Sequence, residues 1–270
     1  MYIKLGYELA FELPAATPML LMLHVHPSRQ GDVLRETGLM TDPVVSVTTF
    51  TDSFGNSASR IVAPAGVLKL RYDAVVKDSG LHDAVQPDAQ QHPVQDLPVE
   101  VLPFLLNSRY CEVDVMSELA WELFGKTPLG WPRVQAVVDW CHKHVKFGYA
   151  FARPTKSAYD AYREKQGVCR DFTHLAVTLC RCLNIPARYA TGYLGDIGIP
   201  PVDFPMDFSA WFEVYLSGRW WTFDARHNTP RIGRVVMAYG RDATDVALTT
   251  SFGPAKLTKF VVWTDEVHSP

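Results

Sequence analysis

Cys169 is the residue whose position in the sequence best suits a nucleophile. A thiol attacks a carbonyl as the thiolate, and the start of a helix lowers a thiol's pKa because unpaired amides and the helix dipole favour negative charge. Cys169 follows Gly167 and precedes an amphipathic segment, so we expect it at such a position. The remaining cysteines are expected to be small buried residues with free thiols: Cys111, Cys141, Cys180 and Cys182.

A nucleophilic thiol needs a base that a third group orients, and a predicted hairpin supplies the carboxylate for that third group. Segments 210–216 and 219–224 flank Ser217 and Gly218, which have the residue types of a two-residue hairpin turn. This turn puts Trp211 opposite Asp224, with Ser209 one diagonal step away on the same face as Asp224. A histidine at 209 would lie against the carboxylate, but the residue there is serine.

Three ordered motifs resemble the core of the transglutaminase-like superfamily. They are Gly-Val-Cys-Arg-Asp-Phe at 167–172, Asn-Ile-Pro-Ala-Arg-Tyr-Ala-Thr-Gly-Tyr at 184–193, and Ala-Trp-Phe-Glu-Val-Tyr at 210–215, followed by 220–224. The matching segments lie between about residues 140 and 235, and the part before them is similar to the region preceding this core in bacterial members. The resemblance implies an α+β, papain-like fold with a Cys, His, Asp triad. It also implies acyl transfer from a glutamine or peptide carbonyl through a thioester.

The resemblance assigns roles residue by residue. Cys169 matches the nucleophile and Asp224 matches the orienting acid. The usual His-Ala-Trp motif of the superfamily stands here as Ser209-Ala210-Trp211. A serine hydroxyl does not accept a proton near neutral pH as an imidazole does, so the base must lie elsewhere or be missing.

Three alternatives for the base follow. His227, three residues after Asp224, could reach the site, although the hairpin alternation puts it on the opposite face unless the strand has already turned. His174 lies five residues after Cys169, roughly 140° around the helix, and is expected to pack or cap. In the third alternative no base exists, and the pocket binds without turnover.

Further residues are expected around this site. An oxyanion needs preorganised donors, for which the backbone N–H of Cys169 and the side chain of Tyr149 are candidates. Tyr193 and Trp211 are interpreted as walls of the substrate-binding site, and Asp171 as an acid in the first helical turn.

The elements that must position these residues differ between the two parts of the chain. Strand signals run from Tyr2 to about Val76, and a proline-rich, polar stretch at 78–103 is typical of a surface linker. We therefore predict a β-sandwich-like N-terminal domain at 1–95 and a transglutaminase-like core at 96–270.

The second part has mainly helical periodicity. Apolar spacing, Pro132 in a first turn and a capping pattern at Ser157 indicate helices before the Cys169 helix, which should bury one stripe. The predicted elements are helices over 113–123, 132–145, 157–167 and 169–183, a strand over 187–193, and two closing strands over 246–250 and 256–262.

Composition excludes several classes of function. The chain is 47% hydrophobic and 20% charged, which predicts a buried core, and its net charge of −3 with no basic run argues against a nucleic-acid partner. No apolar stretch approaches the roughly 20 residues of a membrane span, and no secretory signal is visible, so we expect a cytoplasmic protein. No convergent metal ligands and no phosphate-binding loop are visible, so we expect neither a metal nor a cofactor.

The sequence therefore predicts a cysteine hydrolase or amidase, more like a protease than a cross-linking enzyme, that acts on a peptide or protein through Cys169. The alternative is a catalytically silent module that keeps the cleft and binds peptide or protein. The sequence indicates neither the oligomeric state nor the particular substrate.

Overall fold

The computed structural model describes residues 1–202 and 205–269. Its strands and α-helices follow in chain order: β1 (Tyr2–Leu13), β2 (Thr17–Leu21), β3 (Val33–Glu36), β4 (Met40–Asp42), β5 (Thr48–Thr51), β6 (Ser57–Ala63), β7 (Gly66–Lys77), α1 (Val113–Phe124), α2 (Trp131–His144), β8 (Lys146–Phe147), α3 (Ala158–Glu164), β9 (Gln166–Gly167), α4 (Cys169–Cys182), β10 (Ala187–Tyr193), β11 (Ser209–Leu216), β12 (Arg219–Phe223), β13 (Val235–Gly240), β14 (Thr249–Ser251) and β15 (Lys256–Val267).

Two antiparallel sheets form the N-terminal part, as the strand signals predicted. One has the order β15-β1-β7-β3, with β4 also paired to β7, and the other has the order β14-β2-β6-β5. Apolar side chains of both sheets, among them Leu5, Met19, Ile61 and Tyr72, share one hydrophobic core. The short strands β3 and β4 were not identified from the sequence.

The last two strands belong to these N-terminal sheets. β15 pairs with β1 from Tyr2 opposite Val267 onward, and β14 pairs with β2 through Thr249 opposite Leu21. Both strands were predicted, but as part of a core spanning 96–270. The predicted boundary near residue 95 therefore does not separate the sheets. Strands β14 and β15 come after the helices in the chain, but they pair with strands that come before them.

A third antiparallel sheet has the order β12-β11-β10-β13, and the helices pack against it. Phe212 and Val214 of β11 share a core with α1, α2 and α4. In α4 every residue from Asp171 to Cys182 is buried, whereas the sequence predicted one buried stripe. The difference arises because α4 packs against α1, α2 and α3 as well as against β10 and β11.

The hairpin of β11 and β12 has the predicted register. Phe212 lies opposite Phe223, and Ser217 and Gly218 have φ values of 48° and 78°. Positive φ at both central residues is the geometry of a type I′ turn, whose twist matches that of paired strands. The paired ladder ends at Phe223, so Asp224 starts the turn that follows the strand.

The predicted helix start at Ser157 is confirmed. The Asp160 N–H donates to Ser157 Oγ at 3.3 Å, and the Ser157 N–H donates to Asp160 Oδ2 at 3.1 Å, which is a capping box. The end of this helix was predicted at Gly167, but α3 ends at Glu164 and Lys165 adopts the left-handed conformation with φ of 54°.

The segment predicted as a surface linker at 78–103 also contacts the core. It contains 3-10 turns, and Ala89, Leu97 and Val101 are buried against the rest of the molecule. Asp83 in this segment binds the chain just before β13, a strand that the sequence analysis did not identify. None of the described helices combines the length and apolar character that a membrane crossing requires.

Candidate active site

Cys169 is the first residue of α4, as predicted. Val168 before it is extended, and its N–H donates to Asp171 Oδ2 at 2.9 Å, which fixes the start of the helix. Asp171 thus satisfies an N–H just outside the first turn, as an acid near a helix start is expected to do. Residue Cys169 as a whole is partly exposed, whereas the other four cysteines are buried as expected.

The surroundings of Cys169 keep its thiol protonated. Burial and, to a lesser extent, the negative charge of Asp207 raise the pKa of Cys169 to about 11, although Arg226 and the Ala210 N–H act in the opposite direction. The expectation of a lowered pKa at this helix start is therefore not met, because burial and the neighbouring carboxylate raise the pKa of Cys169. A thiol of this kind needs a base before it can attack.

Asp224 and His227 form a hydrogen-bonded pair within one turn. Asp224 Oδ1 accepts the backbone N–H groups of Arg226 at 3.0 Å and of His227 at 2.9 Å. These bonds bring the chain back on itself, so that His227 Nδ1 donates to Asp224 Oδ2 at 2.8 Å. The strand alternation that would have put His227 on the opposite face no longer applies, because β12 has already ended at Phe223.

The Asp224 carboxylate is ionised and fully hydrogen-bonded. Its burial alone would raise the pKa of Asp224, but the charge of Arg234 and the hydrogen bonds from His227 hold that pKa well below its usual range. Arg234 Nη2 donates to Asp224 Oδ2 at 2.9 Å. Because an ionised carboxylate only accepts, the proton of the shared bond lies on His227 Nδ1, and Nε2 is the acceptor nitrogen of the neutral ring in this tautomer.

One cavity contains four of the predicted site residues. It has a volume of about 140 Å³ and is lined by Cys169, His227, Ser209 and Tyr149. A larger groove of about 670 Å³ begins at the same place and also contains Cys169 and Ser209. The nucleophile candidate therefore lies where a small cavity containing an imidazole meets a long open groove.

Ser209 lies at the start of β11, opposite Gly192 of β10. Its side chain lines both the cavity and the groove beside Cys169. Ser209, at the position where the resemblance implied a histidine, thus reaches the site, but it brings a hydroxyl that cannot act as a base at neutral pH.

His174 packs inside the molecule, as predicted. Its ring stacks on Tyr110 with 4.9 Å between the ring centroids, and its Nε2 accepts the Ala243 N–H at 3.1 Å. Burial lowers the pKa of His174 to about 3, so the ring stays neutral. Because His174 lines neither the cavity nor the groove that contains Cys169, it is not placed to act as the base.

Two residues predicted as substrate-binding walls lie elsewhere. Tyr193 is completely buried and packs on Phe208 in the core of the N-terminal sheets. Trp211 is 2% exposed and lines a separate polar cavity together with Arg234. Both predictions fail for one reason, since residues that are close to the motif along a strand can still face away from the site.

Two charged residues of the site, Arg226 and Asp207, were missed by the sequence analysis. Arg226 lies with its guanidinium carbon 3.8 Å from the ring centroid of Phe147, and its charge acts on both Cys169 and Asp207. Asp207, on the chain just before β11, lines the cavity and the groove. For Arg226, the only indication in the sequence was its position between Asp224 and His227. No sequence pattern indicated a role for Asp207.

No metal centre is evident in the part of the chain that the structure describes. In residues 1–202 and 205–269, no group of three His, Cys, Asp or Glu side chains could hold a metal ion.

Comparisons with known proteins identify relatives of this chain. The family model for the core of the transglutaminase-like superfamily matches residues 119–225. A crystal structure from Cytophaga hutchinsonii, provisionally described as a cysteine protease, has a TM-score of 0.85 and 32% identity, and the match covers 100% of this chain and 93% of that chain. The uncharacterized protein ML0607 of Mycobacterium leprae (strain TN) is 26% identical over 216 residues, which are 77% of this chain and 76% of that protein.

Proposed function

The chain belongs to the transglutaminase-like superfamily, and from that premise we propose that it is a cysteine-dependent enzyme acting on a glutamine or peptide amide through a Cys169 thioester. In this proposal His227 is the general base, Asp224 orients it, and Ser209 takes no part in proton transfer. The substrate is a peptide or a protein.

The proposal rests mainly on one hydrogen bond, in which His227 Nδ1 donates to Asp224 Oδ2 at 2.8 Å. His227 also lines the cavity that contains Cys169. Holding Nδ1 as the donor leaves Nε2 as a proton acceptor, which is the state a general base requires. The raised pKa of Cys169 agrees with this role, because a protonated thiol must pass its proton to a neighbour.

The reaction proceeds in two halves. His227 Nε2 takes the thiol proton as the Cys169 sulfur bonds to the amide carbonyl carbon. The C–N bond then breaks, the imidazolium gives its proton to the leaving nitrogen, and a thioester remains. Water or a primary amine attacks the thioester while Nε2 takes its proton. The C–S bond breaks, and that proton returns to the sulfur.

Donors for the developing oxyanion are available next to the thiol. The N–H of Cys169 belongs to the first turn of α4, where backbone N–H groups have no partner within the helix. Tyr149 lines the cavity and supports a second, side-chain donor. Donors fixed before the reaction lower the barrier more than donors that must first reorient.

Hydrolysis is favoured over cross-linking by the relative from Cytophaga hutchinsonii, which is provisionally described as a cysteine protease and matches the whole chain. Both outcomes share the thioester, so one experiment can separate them. The protein is incubated with a complex peptide mixture and a labelled primary amine, and the products are identified by mass spectrometry.

New peptide termini would indicate a protease, deamidated glutamines an amidase, and incorporated label an acyl transferase. The Cys169→Ala variant should give none of these products, whereas Cys182→Ala, which removes a buried thiol at the other end of α4, should retain them. If wild type and Cys169→Ala retain the same peptides without forming product, the protein is the silent binding module.

A further inference from the structure

Arg234 connects the Asp224 carboxylate to a distant part of the chain. It lies just before β13 and is 9% exposed. While its Nη2 donates to Asp224 Oδ2 at 2.9 Å, its Nε donates to both carboxylate oxygens of Asp83, at 2.9 and 3.1 Å. One guanidinium thus joins the acid beside His227 to an acid 151 positions away from Arg234 itself.

Asp83 is itself fixed to the same stretch of chain. Its Oδ2 accepts the Arg231 N–H at 2.9 Å, and its own N–H donates to the Arg231 carbonyl at 2.8 Å. His82 and Ile232 form an additional β-bridge. The segment after β7 is therefore bound to the residues just before β13 by backbone and side-chain hydrogen bonds. Arg234 lies in that bound stretch and also contacts Asp224.

The charge of Arg234 matters because Asp224 is buried. A buried carboxylate is costly unless a cation and hydrogen bonds compensate it. Arg234 supplies a permanent cation, so the carboxylate remains ionised without requiring His227 to be protonated. A neutral imidazole beside an ionised carboxylate is the combination that a general base needs.

We propose that Arg234 is a positioning residue for the Asp224–His227 pair, anchored by Asp83 so that the carboxylate stays oriented and His227 keeps its Nδ1 toward it. This inference rests on the proposed function only where it predicts an effect on turnover. The hydrogen bond from His227 Nδ1 to Asp224 can be measured without any substrate.

The first measurement is NMR of protein labelled with ¹⁵N-histidine, with the His227 signals assigned by their loss in His227→Asn. Wild type should show a slowly exchanging Nδ1–H for His227. Arg234→Met removes the charge at similar length, and this signal should be lost or reduced to a minor fraction. Arg188→Met is the matched control, because Arg188 pairs with Glu213 rather than with Asp224, and it should keep the signal.

The second measurement uses a peptide substrate found with the mixture described above. In Arg234→Met the Asp224 carboxylate keeps only the bonds of its own turn, so the imidazole should be held toward it in only part of the molecules. We expect kcat to fall by up to about 100-fold, the loss that a misplacement of about 1 Å in a reacting group can cause. Asp83→Asn keeps Arg234 and removes only the charge that anchors it, so it should lower kcat only a few-fold.

A folded Arg234→Met protein with the wild-type Nδ1–H signal overturns the proposal, whether or not the protein turns over any substrate. If Arg234→Met does not fold, the Arg234→Lys variant is used to test the proposal. Lysine keeps the charge but cannot bridge two carboxylates with the planar fork of arginine. The wild-type signal in Arg234→Lys would then overturn the proposal, and a weakened signal in a folded Arg234→Lys would support it. If wild type forms no product while Arg234→Met loses the signal, the positioning role stands and the proposed function fails.

Discussion

His227 Nδ1 lies 2.8 Å from Oδ2 of Asp224, a residue only three positions earlier in the chain. The acid and the imidazole therefore belong to one turn, whereas the His-Ala-Trp pattern would have brought the imidazole from the neighbouring strand. Asn228 closes the same turn, because its N–H donates to the Asp224 carbonyl at 2.8 Å and its side chain donates to Asp139 of α2 at 2.9 Å. The relative position of acid and base is thus set locally and anchored to a helix.

Replacing His227 with asparagine should abolish most turnover. An asparagine side chain can still donate to Asp224, so the turn is preserved while the proton acceptor is lost. We expect kcat to fall on the order of 10²- to 10⁴-fold, the usual contribution of a general base. Steady-state kinetics on the peptide substrate measure this effect, with His268→Asn, at an exposed position, as the control. Activity within threefold of wild type would remove His227 from the mechanism.

Ser209→Ala should leave catalysis nearly unchanged. The hydroxyl lines the cavity, but it cannot take a proton at neutral pH, so its loss should change kcat/KM by less than about threefold. The comparison is made with His227→Asn under the same conditions. A loss in Ser209→Ala as large as that in His227→Asn would show that the serine, and not His227, is the essential partner of the thiol.

The pH dependence of Cys169 alkylation should report its raised pKa. With a pKa of about 11, the rate of reaction with iodoacetamide should rise steadily from pH 7 to 9.5, whereas free cysteine levels off above about pH 8.5. Mass spectrometry of the peptide containing Cys169 gives the rate. A plateau below pH 9 would mean that the thiolate is already formed in the free protein.

Asp207→Asn should accelerate this alkylation. Removing a negative charge beside the thiol lowers the Cys169 pKa, and each pKa unit increases the thiolate fraction about tenfold, so we expect an increase of up to about tenfold at pH 8. Asp196→Asn is the matched control, because Asp196 lines the same cavity but pairs with Arg231. Equal rates in Asp207→Asn and wild type would contradict the assigned cause of the shift.

Asp224 should make the stability of the protein depend on acid pH. Its pKa is lower in the folded than in the unfolded state, so its contribution is complete above the unfolded value of about 4 and is lost as the pH falls below it. At pH 7, Asp224→Asn should lower the free energy of unfolding by about 3 kcal/mol, because it breaks a buried ion pair. The difference from wild type should shrink between pH 5 and pH 3 in urea titrations. The exposed Asp265→Asn should follow wild type throughout, and a difference for Asp224→Asn that does not change with pH would refute this account.

Local sequence signals predicted the elements that carry the site. The Ser217-Gly218 pair predicted a two-residue turn, in which Gly218 readily adopts positive φ, and this turn fixes the hairpin register. The Ser157 capping pattern predicted the start of α3. Cys169 and Asp224 were singled out by a predicted helix start and a predicted hairpin, and the resemblance to a known family assigned their roles. These features depend on neighbours along the chain or on ordered motifs, which one sequence displays directly.

The parts that the sequence could not predict depend on contacts between distant segments. The bonds from Arg234 to Asp83 join residues 151 positions apart and have no periodic pattern. Strand alternation also misjudged His227, because it assumed that β12 continues beyond Phe223. The raised pKa of Cys169 depends on burial and on Asp207, neither of which the start of a helix reveals.

The pairing of β15 with β1 has a consequence for folding during synthesis. β1 has β7 on one side and β15 on the other, so one edge of β1 stays open until the ribosome has released residues as far as Val267. An open strand edge exposes unpaired N–H and C=O groups to other chains, and contacts between such distant residues form slowly. The newly made chain is therefore most prone to aggregate just before its last strand joins the first, and a nonsense mutation after Ser251 would leave that edge permanently open.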